Sequence, residues 1–240
     1  MSARLVVSVP LALVVLLAAG RILDAQGAAG ARSAREAAPI DLTGTWVSYI
    51  TEDWRWRMVT PARGDYASVP ITAESKRVAD AWDPAADAAA GEQCKSYGAA
   101  AIMRVPTRLR ISWLDDNTLR VETDAGRQTR LLHFGSPRAP EGPPTWQGHS
   151  VAEWDIPGRY LKVVTTRMRA GYLRKNGVPY SANVVLTEYW DVHRDTDDWL
   201  VVTSLVDDPV YLRQTYVTSP NFKKEPNGAK WDPTPCSATW

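Results

Sequence analysis

Apolar and polar side chains alternate along most of the chain after residue 107, the period of half-buried β-strands. Leu109, Ile111 and Trp113 alternate with Arg108, Arg110 and Ser112 before turn chemistry at Asp115-Asp116-Asn117. Leu119, Val121 and Thr123 alternate with Arg120, Glu122 and Asp124, Ala125-Gly126 supplies a second turn, and Arg127–Phe134 completes a meander. Beyond a Pro/Gly-rich loop over Ser136–Pro144, the pattern predicts strands at Trp146–Asp155, Tyr160–Met168, Asn183–His193, Trp199–Val206 and Tyr211–Val217, with a polar turn at Asp195–Asp198. A Lys/Pro-rich tail follows. Upstream, Asp41–Thr51 predicts the first strand. Trp54–Met58 alternates strictly and predicts another, with Trp54, Trp56 and Met58 on one face and Arg55 and Arg57 on the other. Only Thr72–Ala90 predicts helix, with Thr72 ahead of an Ala/Lys/Arg-containing run and Pro84 stopping or interrupting it. About 8–10 strands with one helix predict an all-β fold, an antiparallel lipocalin-like barrel or a strongly curved meander. One domain over residues 40–240 is the simplest organisation.

One position disturbs the alternation. Along Asn183–His193, Val184, Leu186, Trp190 and Val192 share a face with Glu188. A carboxylate on an apolar face needs a cation or hydrogen bonds, or it goes neutral. In Tyr160–Met168 the face of Leu161, Val163 and Thr165 carries Arg167, which makes Arg167 the expected partner. Together with Tyr180 and His149 these residues predict an acid–base or binding cup. A tight ion pair there implies binding or a structural bridge; an unpaired Glu188 implies catalysis, with Glu188, His149 and Tyr180 as the acid–base set. Arg55 and Arg57 form a second candidate, guanidinium groups facing an anionic ligand. Gly148-His149-Ser150 lacks the second glycine of a nucleophile elbow, and neighbouring strand residues point to opposite faces, so Ser–His catalysis is not expected.

Composition adds the compartment. Arg4 precedes an apolar run from Leu5 to Ala19 and then small residues, the pattern of an export signal over residues 1–25 with Gln26–Pro39 as a disordered leader. The protein is then expected outside the cytoplasm, periplasmic or secreted and soluble, without a stable membrane span after signal removal. In an oxidising compartment the two cysteines, Cys94 and Cys236, are expected to pair. Two Cys and three His show no zinc or haem spacing, and no phosphate-binding glycine pattern occurs, so neither a metal nor a cofactor is expected. Without residues 1–25 the charge is 26 − 26 = 0, from Lys+Arg 28 less Arg4 and Arg21 and Asp+Glu 27 less Asp24, so no nucleic-acid partner is expected. Eleven Trp and nine Tyr against two Phe suit half-buried pockets as well as cores.

Two resemblances bear on these residues. Gly44-Thr45-Trp46 resembles the Gly-x-Trp of the first strand in lipocalin-like barrels, where the Trp closes the barrel floor. More broadly, Cys94, Gly98, Met103–Pro106, Thr145–Ser150 leading to Trp154, Leu161–Thr166, Gly177–Ser181 leading to Thr187-Glu188, and Val206–Pro209 with Tyr211 resemble a large family of uncharacterised exported bacterial proteins. Tyr180 stands where that family's pattern has His. The resemblance implies export and singles out residues, but it implies no activity. Together these features predict an exported barrel binding a small, partly apolar molecule, with Arg167, Arg55, Arg57, Trp146 and Trp190 as ligand contacts. A cofactor-independent isomerase, cyclase or hydratase on the same scaffold is the alternative, followed by a structural envelope protein with a filled barrel.

Overall fold

Nine strands close into a barrel in the computed structural model, which describes residues 32–135, 137–194 and 198–239. The expected signal segment, residues 1–25, lies outside the described residues. The strands are β1 (Gly44–Tyr49), β2 (Arg108–Asp115), β3 (Thr118–Thr123), β4 (Thr129–Phe134), β5 (His149–Asp155), β6 (Tyr160–Thr166), β7 (Gly171–Tyr172), β8 (Pro179–Tyr180), β9 (Val185–Arg194), β10 (Asp198–Asp207), β11 (Tyr216–Thr218) and β12 (Asn221–Glu225). The ring runs β10-β12-β1-β2-β3-β4-β5-β6-β9 and closes where β9 pairs β10. β7 and β8 form a separate hairpin.

The all-β expectation holds, with one correction: the barrel is not purely antiparallel, because β4 and β5 are parallel. Strand direction must alternate across each antiparallel pair, so a closed ring of nine needs at least one parallel pair. Parallel neighbours require a crossover of a dozen or more residues. Residues 135–148, with the Pro/Gly-rich loop inside them, make that connection.

The tail is a second correction. Asn221–Glu225 is the closing strand, paired with both β1 and β10. β11 and β12 lie end to end along one edge of β10, separated at Ser219-Pro220, where Pro220 accepts a bond from the Val202 amide through its carbonyl and has no N–H to offer. Past β12 the chain returns to bridge Ala125 at Thr234 and reaches the Cys94–Cys236 disulfide, with the Cα atoms 5.1 Å apart. Of the expected leader, residues 33–39 are seated on the barrel: Arg35 donates its amide to the Asp116 carbonyl and the Trp154 indole donates to Ala34.

Thr72–Ala90 is two helices. Thr72 caps Ala73–Asp80 by accepting from the Ser75 amide, and Asp83 caps Pro84–Ala89 by accepting from Ala85 and Ala86. Pro84, which ends the first helix, sits at the first turn of the second, where its missing N–H costs nothing. Trp54–Arg57 is a helical turn, not the expected strand; Asp53 enters it at φ 48° and its carbonyl accepts from Trp56 and Arg57. Five residues of alternation fit either element, and burial of Arg57 decides the outcome.

Two apolar clusters fill the molecule. Trp46, Leu109, Leu132, Leu161, Trp190 and Phe222, all without solvent exposure, occupy the barrel interior. Leu186 and Val206, at the ends of β9 and β10, join Met168, Val178, Tyr180, Ala79 and Ala99 in a second cluster. There the helices and the β7–β8 hairpin cap the barrel. Among the described residues no helix is long and apolar enough to cross a membrane.

The disulfide closes a loop spanning 142 residues, and loop-closure entropy sets its contribution near a ceiling of about 5 kcal/mol. Cys94→Ser/Cys236→Ser is expected to lose about 3–5 kcal/mol in urea unfolding. Equal midpoints for this variant and the oxidised wild type would show that the tail does not depend on the bond.

Candidate functional site

Glu188 does find a cation inside the barrel, but the cation is Arg130. Arg130 grips it with two guanidinium nitrogens, Nη2 to Oε2 at 2.6 Å and Nη1 to Oε1 at 3.2 Å. Glu188 has no exposure and Arg130 has 2%. Nη2 also reaches Thr165 Oγ1 at 3.3 Å, which bonds Ser150 Oγ at 2.8 Å. Ser204 faces Glu188 from β10. Arg130, Ser150, Thr165, Glu188 and Ser204 thus form one polar layer across β4, β5, β6, β9 and β10, between the two apolar clusters.

Arg167 is not part of this layer. β6 ends at Thr166, and Arg167 turns out at φ 57°, is exposed, and donates to the Gly142 carbonyl at 2.6 Å. A left-handed residue breaks the period-2 count on which the expected pairing rested. Arg130 was legible by that same count, since it alternates inward with Leu132 and Phe134 on β4.

The rest of the expected cup is dispersed. His149 is next to inward-facing Ser150 and therefore points out of the barrel, where it stacks on His133 with ring centroids 5.6 Å apart. Burial and the neighbouring His149 hold the His133 pKa below its usual value. Tyr180 lies in the second cluster, with its hydroxyl between Gly98 and Gly171; a Cβ would meet that oxygen at 2.1 Å from Gly98 and 2.7 Å from Gly171. Burial raises the Tyr180 pKa, and among the described residues its hydroxyl has no hydrogen-bond partner. Trp190 is core, and Trp146 lies under the Arg169 guanidinium at 4.0 Å.

Of the second candidate pair, Arg55 points outward to an ion pair with Asp65 at 2.8 Å, whereas Arg57 is 2% exposed. Arg57 belongs to a basic recess of about 30 Å³ at the capped end, with Trp56, Arg104, Leu173, Arg174 and Lys175 among its lining residues. Three segments converge there: the turn Trp54–Arg57, Met103-Arg104 after the helix Ala99–Ile102, and the tip of the β7–β8 hairpin. Asn176 anchors that tip by donating to the Ala62 and Asp65 carbonyls, so Arg174 and Lys175 are buried beneath residues 54–66.

The guanidinium groups are unevenly satisfied. Arg57 Nε donates to the Arg104 carbonyl at 2.9 Å, and its Nη1 meets Glu52 at 3.4 Å. Arg104 Nη2 donates to Asp53 at 3.0 Å, while its Nη1 stands 3.6 Å from Glu52. Arg174 lies 5.0 Å over the Trp56 ring, with the Tyr216 hydroxyl beside it as an electrostatic and weak hydrogen-bonding neighbour, and among the described residues none of its nitrogens makes a well-formed hydrogen bond. Among the described residues, Arg57 Nη2, Arg104 Nη1 and Arg174 Nε, Nη1 and Nη2 therefore make no well-formed hydrogen bond. Burial, with Arg104 beside it, brings Arg57 down to about 10; burial is also the main cause of the lowered Arg174 pKa. Lys175, whose Nζ donates to the Tyr97 hydroxyl at 2.8 Å, is brought down to about 8 by burial.

Sequence reasoning found Arg57 here and missed Arg104 and Arg174. Arg104 stood inside a segment noted only for its family resemblance, and Arg174 carries no periodic signal because it sits in a hairpin tip. No protein-family model matches this chain, and neither a curated protein nor a solved structure matches it.

Two outcomes test these sites. Arg130→Met and Glu188→Leu are each expected to cost about 3–5 kcal/mol, because each strands a buried charge, while the double variant recovers most of the loss. Urea unfolding of the four proteins gives the cycle, and a double variant as unstable as the worse single would refute this account. Lys175 binds its proton more weakly folded than unfolded between about 8 and about 10.4. The unfolded chain then holds more protons, so stability rises with pH through that window. Between pH 7.5 and 9.5, below tyrosine ionisation, wild type is expected to gain about 2 kcal/mol that Lys175→Met does not gain.

Proposed function

We propose that this is an exported small-molecule-binding barrel protein whose ligand carries a negative charge held by Arg57, Arg104 and Arg174. One observation carries the reading: on three arginines each more than nine-tenths buried, five guanidinium nitrogens that among the described residues make no well-formed hydrogen bond converge on one recess. A buried cation without a full set of acceptors is costly. An anion supplied by a ligand offsets that cost, and arginine is the residue suited to gripping an oxyanion. The scaffold supports binding at its capped end, because Trp46, Trp190 and Phe222 occupy the interior that a lipocalin-like protein would keep open. The disulfide and the apolar N-terminal run support export. Acid–base chemistry at Glu188 is disfavoured by its two-point grip from Arg130. A structural envelope role is the second reading, favoured by the filled interior.

Thermal unfolding with millimolar sulfate against chloride at equal ionic strength tests the proposal. At a hundredfold its Kd a bound anion adds about 2.7 kcal/mol, or roughly 5–10 °C in Tm. Arg174→Met is expected to be more stable than wild type in chloride, having lost an uncompensated buried cation, and to gain nothing from sulfate. Equal sulfate gains in both proteins would be general salting-out and would leave the structural reading.

A further inference from the structure

The outer wall of the barrel carries a hollow that shares no lining residue with the basic recess and stands whether or not that recess takes an anion. Glu188 and Trp190 point inward on β9, so Tyr189, Asp191 and His193 point out. Leu200 and Val202 likewise turn Val201 and Thr203 of β10 outward, with Val201 opposite Asp191 and Thr203 opposite Tyr189. On β6 the buried Leu161 leaves Tyr160 on the same wall. The Tyr160 and Tyr189 rings meet edge to face, 77° apart in plane with centroids 5.5 Å apart. We infer that the hollow these residues line, about 340 Å³ in volume, binds a quaternary ammonium group.

Charge selects a cation. At an edge-to-face junction a corner is bounded by one face of each ring, and the two tyrosines border two hollows. The hollow toward β5 contains its own cation, Lys162, paired with Glu153 at 2.8 Å. The hollow toward β10 contains Asp191, and among the described residues lining it there is no Lys or Arg. Its one titratable base is His193, 3.3 Å from Asp191 and charged only when protonated. Aromatic faces carry negative potential, and a carboxylate beside two of them adds a full charge. A cation seated in the corner meets both rings and the carboxylate together.

Hydrogen bonding selects the kind of cation. A lysine-type ammonium brings three N–H donors that need acceptors. The hollow offers few: Asp191 already faces His193, and the Thr203 hydroxyl is paired with Ser219 at 3.3 Å. Val201 and the ring faces present apolar or aromatic surface instead. A quaternary ammonium has no N–H to satisfy and is the cation that aromatic walls recognise. The volume admits a methylated head group with part of the molecule that carries it, and Tyr160, Tyr189 and Asp191 are half-buried, so the hollow is open to solvent. Edge-to-face packing holds the two rings in place before a ligand arrives, which limits the entropy lost on binding.

Amide chemical shifts of the isotope-labelled protein test the inference in titrations with three probes at constant ionic strength. The probes are choline, methylammonium, and the uncharged isostere of choline in which a tert-butyl group replaces the trimethylammonium. Choline is expected to bind at one site at least fivefold more tightly than either of the others, with shifts centred on residues 189–193 and 201–203. Asp191→Asn and Tyr189→Leu are each expected to weaken choline binding at least threefold, whereas Tyr189→Phe, which keeps the ring, binds as wild type does. The same spectra report whether each variant is folded. An isostere that binds as tightly as choline overturns the cation, and methylammonium that binds as tightly overturns the quaternary group. Shifts centred elsewhere, no saturable shift from choline, or full binding in both Asp191→Asn and Tyr189→Leu overturns the site.

Discussion

Closure of a nine-membered ring of strands is the constraint from which the rest of this structure follows. Antiparallel pairing reverses direction at every step, so an odd ring must contain a parallel pair, here β4 with β5. That pair requires a crossover between β4 and β5, and the proline-rich segment that precedes β5 lies on it, with Thr145 bridging Met168. Closure also needs a last strand between β10 and β1, supplied by Asn221–Glu225. The disulfide at Cys236 then ties down the chain beyond that strand, and the last strand of a ring has the fewest sequence neighbours to hold it.

Inside the ring, the Arg130–Glu188 pair makes the interior a filled core with a polar layer. The pair is satisfied bidentately, and the layer extends through Thr165 to Ser150. Apolar replacements of similar volume would suit stability as well. What the pair adds is register: a one-residue slip of β9 would turn Glu188 to solvent and leave Arg130 alone in the core. The layer also separates the barrel interior from the capped end.

The basic recess lies at that end, on connecting segments positioned by the scaffold, where binding residues tend to occur. Its arginines come from three segments far apart in sequence. The β7–β8 hairpin is the decisive piece, since nearly every residue from Gly171 to Tyr180 is buried and its tip delivers both Arg174 and Lys175. Tyr180 belongs to the packing that holds this hairpin down, in the space left by Gly98 and Gly171.

Local pattern determined much of this protein. The alternation in residues 107–134 specified three strands and their turns, Thr72 and Pro84 specified helix boundaries, and Glu188 was marked as a buried charge by its apolar neighbours. These features depend on residues two to four positions apart, which a sequence displays directly. The partner of Glu188 was a long-range matter: Arg167 shared the right parity, but one left-handed residue removed it, and Arg130 lay three strands away around the ring. Arg55 and Arg57 looked equivalent until a helical turn sent one to solvent and one inward. The charged tail Asn221–Glu225 became a strand because a ring had to close. Arg174 gained significance only from what covers it, because burial of a hairpin tip depends on the whole fold and leaves no periodic trace in the chain.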